Sequence, residues 1–313
     1  MLSLSLSFAI AFAASPLIRR RLLAKGVIDV PGHRSSHSAP TPRGGGLAVM
    51  AGVVGSCLVA SALGHGPDWR VLAAAVVLGA VGFLDDVRGL PAVPRMAAQL
   101  LVGAALGASV GGPALAVVGA ALMVICVNVV NFMDGINGIS ALHTTLWGCT
   151  AALVLGGAVP ALAVSAAAVA GAALAFLPFN APSARLFLGD SGSYFIGALV
   201  ASTALAAWPA ASGQQLVVLA LPLLLYFVDT FAVLVRRSAR GASLLEAHRE
   251  HVYQQLANEG GLPPLAVVVP MVLASAGVTL LAARNLALGL VAAVVAALAY
   301  TLWPQFIGTR RPR

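Results

Sequence analysis

The sequence predicts an all-α, polytopic membrane bundle of about eleven spans, and three observations predict it. Of 313 residues, 60% are hydrophobic and only 9% charged, with a mean hydropathy of +0.96, whereas a soluble domain carries about a quarter of its residues as charges. The apolar residues gather into runs of about 17 to 22 residues, the length that crosses a bilayer as a helix. Ala, Leu, Val and Gly dominate over aromatics, a composition that lets helices pack closely in lipid.

Eleven such runs are centred roughly on residues 10, 54, 78, 104, 122, 149, 168, 201, 224, 273 and 294. The fourth to sixth are separated only by short Gly-rich breaks. The opening "MLSLSLSFAIAFAASPLIRRR" has its Arg cluster after the apolar run, the pattern of a retained first span rather than a signal peptide. Cys57, Cys126 and Cys149 fall within runs without metal-ligand spacing and read as small packing residues. The whole of 1–313 reads as one membrane domain.

The loops between runs alternate sides. One side holds 19–43, 85–95, 180–192, 236–262 and 305–313, with 16 of the 18 Lys and Arg; the other holds only Arg70 and Arg284. Positive charge near span ends marks the cytoplasm. The N-terminus is therefore expected outside and the C-terminus inside, in the plasma (inner) membrane. The net charge of +8 is then a matter of topology, and a nucleic-acid partner is not expected.

Eight of the ten acids lie in those cytoplasmic loops or at the cytoplasmic span ends; Asp68 lies outside, and Asp229 within the ninth run. A transporter more often keeps its coupling carboxylates near the midplane. Chemistry at one face favours an enzyme with a cytoplasmic substrate. The rival is a polytopic transporter or lipid flippase with a cytoplasmic anion site, which would give flux without a chemical product.

Four stretches hold the polar residues. In "GFLDDVRGLPAVPR", Asp85 and Asp86 repel each other at a helix end unless a cation is near, and Mg²⁺ is a hard ion held by one or two carboxylates plus phosphates; a polar turn is the alternative. In "NVVNFMDGINGIS", Asn128, Asn131 and Asp134 share a helical stripe about 120° wide, before Gly135 and Gly138 open a turn. That stripe either serves a ligand or bonds neighbouring helices. In "FNAPSARLFLGDSGSYFIG", Asp190 or Ser191 could cap the next helix, or Asp190 could share a metal with a phosphate at that helix start. In "RRSARGASLLEAHREHVYQQL", His248 and His251 lie three apart on an expected helix beside Arg249 and suit a phosphate-rich ligand. Arg34 and His37 sit in another basic loop, "DVPGHRSSHSAPTPRGGG". His65 and His143 read as structural, and Asp229 as paired with a buried donor.

Taken in order, "D-x-P" and "R-x-x-H" before "PTPRGGG", then "LDDVRGL", "NVVNFMDGINGI", "FLGDSGS" and "HREHVYQQL", the chain from about residue 15 to 260 resembles the polyprenyl-phosphate N-acetylhexosamine-1-phosphate transferases, the family of bacterial MraY and WecA. The resemblance implies transfer of a sugar-1-phosphate from a UDP-N-acetylhexosamine to undecaprenyl phosphate, releasing UMP, with Mg²⁺ (Mn²⁺ as an alternative), in a cytoplasmic cleft open to membrane lipid. It implies Asp85 and Asp86 near the lipid phosphate, Asp190 as principal metal ligand with Asn131, and Asp134 as an acid of the nucleotide-sugar cleft. It further implies Asn137 and Phe187 at the uracil, Arg95 near the phosphates, and Arg249 and His251 on the pyrophosphate. Asn128, His248, Arg34 and His37 join them as substrate-binding candidates. Asp85 is expected to position the lipid phosphate and take any remaining proton. Many relatives dimerise, which leaves room for a homodimer. Asn137 stands where MraY-type enzymes have Asp, and the last loop has fewer histidines. Both differences imply a surface-glycan enzyme rather than a peptidoglycan pentapeptide one.

Overall fold

The computed structural model describes residues 1–31, 39–242 and 249–307. It is built from helices: α1 (Leu2–Ala24), α2 (Gly46–Ala62), α3 (Trp69–Arg88), α4 (Ala92–Met133), α5 (Ile139–Leu155), α6 (Pro160–Asn180), α7 (Gly189–Ala207), α8 (Gly213–Ala220), α9 (Leu224–Ala239), the single turn α10 (Val252–Gln254), α11 (Pro264–Arg284) and α12 (Leu286–Phe306). A two-residue antiparallel pair, β1 (Ile28–Asp29) with β2 (Thr41–Pro42), is the sheet among the described residues. The chain is thus an all-α, multi-pass membrane protein. Among the described residues, six helices are long and apolar enough to cross a bilayer: α1, α4, α6, the run Gly213–Ala239, α11 and α12.

Every expected span centre falls within a helix. The fourth and fifth join as α4, which breaks at Gly111 and Gly112 (φ 78°) just before Pro113. Its two arms fold back on each other, since a Cβ at Gly103 would overlap the carbonyl of Gly119. The ninth run is itself jointed: α8 passes through the 3₁₀ turn Leu221–Leu223 into α9.

Two close approaches position the site. A side chain at Gly82 of α3 would overlap the carbonyl of Asp190, and one at Gly46 of α2 would overlap the amide of Gly192. Without those glycines α2 and α3 could not touch the first turn of α7 backbone to backbone. The first helix is tied in likewise, with Ser56 donating from its hydroxyl to the carbonyl of Ser3 (2.8 Å).

Asp85 and Asp86 stand in the last turn of α3, the helix end expected of them, and the turn there is only Gly89 to Pro91, with Gly89 at φ 64° closing the helix. One local reading changes. His251 precedes a helix rather than lying in one, because its backbone is extended (φ −67°, ψ 145°) and helical geometry begins at Val252.

Candidate active site

At the ends of α3, α4, α6 and α7 opens a cleft of about 400 Å³ lined by Asp86, Asn131, Asp134, Asn137, Phe187 and Asp190, and by Asp29, Arg43, Asn180, Gln254 and Asn258. That volume lies within the range of small-ligand pockets. Stretches expected on one membrane face supply the lining: Asp29 and Arg43, Asp86, and residues from 131–137, 180–190 and 254–264.

The floor is built where α3 meets α7. Helix starts leave backbone N–H groups without intrahelical partners. Neither Asp190 nor Ser191 caps α7 with its side chain. Instead, the Asp86 carboxylate accepts from the amides of Asp190 (3.0 Å) and Ser191 (3.0 Å). The Asp190 carboxylate is thereby left to face the cleft, where it accepts from Asn131 Nδ2 (2.6 Å); the same nitrogen also donates to the Ser193 hydroxyl (3.0 Å). Both readings of the asparagine stripe therefore hold in part: Asn131 lines the cleft and also bonds a neighbouring helix. Asn128 lies deeper, donating to Gln99 Oε1 of the other α4 arm (2.7 Å) and to the carbonyl of Val124 (2.7 Å), and is not brought to the cleft lining.

Asp85 meets other partners than Asp86 does. One of its oxygens accepts from the Leu90 amide (2.7 Å), and the other pairs with Arg95 (2.6 Å), near the Tyr194 hydroxyl. Asp85 is 5% exposed and Arg95 30%. Neither residue is in the cleft lining, although Asp85 neighbours the Asp190 carboxyl.

The side of the cleft formed by Asn137, Asn180 and Phe187 is stitched by short polar links. Asn180 Oδ1 accepts from the Gly138 amide (2.6 Å), and Asn137 Nδ2 donates to the Pro182 carbonyl (2.9 Å). Phe187 is half-buried, and its amide donates to the carbonyl of Pro42 while its carbonyl accepts from Gly45. The "PRGGG" stretch thus runs alongside "FLGD" and fixes both. Arg43 donates to the backbone carbonyl of Asp86 (3.0 Å). Asp134, which ends α4, carries a carboxyl that burial and the Asp86 charge push up to about 6, with the Ser140 hydroxyl only partly opposing. Gly135 does not simply leave room for a ligand, because the Tyr253 hydroxyl fills the space where its Cβ would be.

His251 is buried at 2%, with Nδ1 3.4 Å from Asp229, so it supports the wall rather than lining it. Arg249 is half-buried in the same segment. Arg34, His37 and His248 lie outside the described residues. His143 is buried, its Nδ1 against the Ile139 carbonyl, and Asp229 does meet buried donors, Val252 N–H and the Tyr300 hydroxyl.

Arg43, Asp29 and Asn180 were not among the expected site residues. The first two stand inside "PTPRGGG" and "D-x-P", a signal that was present without a role attached. Asn180 was legible only as a lone amide closing an apolar run, and what makes it a site residue is a contact with Gly138, 42 positions away.

The acids lining the cleft, Asp190, Asp86 and Asp134, offer hard carboxylate oxygens, and Asn131 beside them carries an amide whose oxygen is of the same kind. The described residues contain no group of three His, Cys, Asp or Glu set to hold a metal by themselves. That combination fits Mg²⁺, which commonly takes one or two protein oxygens and completes its shell with water and substrate phosphates. Asp190 with Asn131 is the pair that would supply them.

Comparison with known proteins gives a consistent answer. Residues 69–207 match the model of "Glycosyl transferase family 4". The chain is 33% identical over 299 residues to the decaprenyl-phosphate N-acetylglucosaminephosphotransferase of Mycobacterium tuberculosis, covering 80% of this chain and 73% of that one. It is 25% identical over 287 residues to a Bacillus subtilis protein described as "Probable undecaprenyl-phosphate N-acetylglucosaminyl 1-phosphate transferase" (82% and 76% covered). It is 31% identical over 270 residues to the phospho-N-acetylmuramoyl-pentapeptide-transferase of a Mycobacterium species (64% and 74% covered).

Proposed function

The chain belongs to glycosyl transferase family 4, and on that premise we propose that it transfers N-acetylhexosamine-1-phosphate from a UDP-sugar to undecaprenyl phosphate, giving UMP and the lipid-linked sugar diphosphate. It is an enzyme of the membrane, a transferase acting on a polyprenyl phosphate. The names of the relatives favour UDP-N-acetylglucosamine as the donor, and the product would initiate a cell-wall or surface glycan. The cleft faces the cytoplasm in this reading, which the basic loops support, and the transporter or flippase alternative is not favoured.

One observation carries the reading: Asp190 and Asn131 share a single cleft with Phe187 and Asn137. A pair able to hold a metal ion, and through it phosphates, thus lines the same cleft as an aromatic face. In the reaction, an oxygen of the lipid phosphate attacks the phosphorus bearing the sugar. The bond from that phosphorus to the bridging oxygen breaks, and the electron pair leaves with UMP. A phosphate monoester has its second pKa at about 6, so the acceptor is largely a dianion at neutral pH and needs little help from a base. Mg²⁺ held by Asp190 and Asn131, when bound, would neutralise the charge that two phosphate-bearing substrates bring together. Arg43 and Arg249 add positive charge, Phe187 offers a face for the uracil, and Asn137 offers an amide for its edge. Asp86 keeps Asp190 aimed into the cleft, while Asp85 fixes Arg95.

The test uses purified protein in detergent with undecaprenyl phosphate, Mg²⁺ and a panel of UDP-N-acetylhexosamines, with UMP and lipid product followed by mass spectrometry. Lipid-dependent UMP from one donor, lost in Asp190→Asn, is the expected result. Substrate flux across vesicles without any UMP would return the transporter reading.

A further inference from the structure

A carboxylate buried in a membrane helix is costly unless donors satisfy it, and Asp229 of α9 is 0% exposed. Its donors come from two distant parts of the chain. The amide of Val252, the first residue of α10, reaches both carboxylate oxygens at 3.0 Å. The Tyr300 hydroxyl of α12 donates to Oδ2 at 2.8 Å, and His251 Nδ1 stands 3.4 Å from Oδ1. Val252, His251 and Tyr300 are each no more than 4% exposed, so water does not compete for these contacts.

The segment held this way borders the cleft on its other side. The Tyr253 hydroxyl donates to the Phe132 carbonyl at 2.9 Å, between Asn131 and Asp134 in the chain. The His251 ring stacks on Tyr253 with centroids 5.6 Å apart and lies 6.4 Å from Phe132. Gln254 and Asn258, one turn on, line the cleft itself. A continuous line of contacts therefore runs from α12 through Asp229 and α10 to the end of α4.

We propose that Asp229 and Tyr300 are positioning residues of the transfer reaction, holding His251 and the Val252–Gln254 turn against the cleft. The inference rests on the transferase reading of that cleft. The apolar last helix then has a task besides membrane anchorage: its Tyr300 supplies one of the donors that let Asp229 remain a buried acceptor. Exchanging Tyr300 for Phe keeps the ring and deletes only that donor, leaving the carboxylate one hydrogen bond short and free to turn from the Val252 amide.

Two measurements on the full chain in detergent test this. In Tyr300→Phe, amide exchange across 249–256 should rise about fivefold or more while the start of α7 keeps its protection, because a local anchor is lost without global opening. The turnover number for UMP release should fall about tenfold, since small misplacement of binding groups is expensive in rate. In a His251→Asn background the same change should cost less than about twofold, since residues acting through one another are not additive. A merely structural tyrosine would lower the active fraction equally in both backgrounds, and that multiplicative result would overturn the proposal. Unchanged exchange, or faster exchange with unchanged turnover, would overturn it as well. Were the unaltered protein to release no UMP from any donor, the transferase reading would fall by itself, and the exchange experiment would still decide whether Tyr300 anchors the segment.

Discussion

The Asp86 carboxylate accepts the amide hydrogen of Asp190 across 104 positions of chain at 3.0 Å. Adjacent in sequence, Asp85 and Asp86 thus have separate tasks: Asp86 caps α7, and Asp85 holds Arg95. Removing the Asp86 carboxylate leaves the buried Ser191 amide without its acceptor, which costs about 1–3 kcal/mol. Asp86→Ala is expected to lower the thermal midpoint in detergent and abolish UMP release together, whereas Asp190→Asn abolishes release with the midpoint nearly unchanged. Thermal unfolding beside the activity assay checks the split, and equal midpoints for the two variants would contradict it.

Gly82 lets α3 lie against the Asp190 carbonyl. Gly82→Ala should push the helices apart at a cost of about 1–3 kcal/mol, the usual range for overpacking, and move Asp86 off the amides it caps. Activity should fall at least about tenfold, while a methyl at the open Gly277 position should be silent. Steady-state UMP release from the two variants reads this directly.

Chelation with EDTA should stop UMP release, and Mg²⁺, or more weakly Mn²⁺, should restore it. Asn131→Ala, which removes the amide that bonds the Asp190 carboxylate through Nδ2, should raise the Mg²⁺ concentration for half-activation roughly tenfold or more, by analogy with losing a supporting metal partner. A metal titration of both proteins checks this, and an unshifted midpoint would exclude Asn131 from the metal's surroundings.

Both oxygens of Asp85 are engaged, one by Leu90 N–H and one by Arg95. Those bonds suit a positioning role, and the pH dependence of a variant separates it from the expected removal of a proton from the lipid phosphate. Asp85→Asn should lower activity by a similar factor from pH 5.5 to 8. A loss concentrated below the phosphate's second pKa of about 6 would instead support the proton-removing role.

Burial works against ionising Glu250, but hydrogen bonds from Arg237 and Arg240 outweigh it and hold the carboxyl below its ordinary range. A folded-state value below the unfolded one adds stability above the unfolded pKa of about 4.3. That contribution is lost as pH falls through the folded value. Glu250→Gln should therefore lower the thermal midpoint at pH 6 and converge with the parent protein as pH drops below about 4. Midpoints measured across that range decide it, and a constant gap would show that the ion pairs are not the source.

The sequence by itself determined the membrane class, the helix positions and the gathering of charge on one face. Each follows from local quantities: run length against bilayer thickness, and Lys and Arg counts beside span ends. It also supplied most of the cleft, because Asn131, Asp134, Asn137, Phe187 and Asp190 stand in compact motifs whose spacing is readable. Which of two equivalent carboxylates faces the cleft was not readable. Asp85 and Asp86 differ by one position, or about 100° around α3, and only the neighbour each meets, Arg95 or the start of α7, separates them. The tie from Tyr300 through Asp229 to Val252 spans 71 and 23 positions of chain. No motif encodes such a link, since an isolated Tyr or Asp in an apolar run has the same local pattern whether it is idle or an anchor. Tertiary packing decided it, by placing those groups where no water could substitute for the bond.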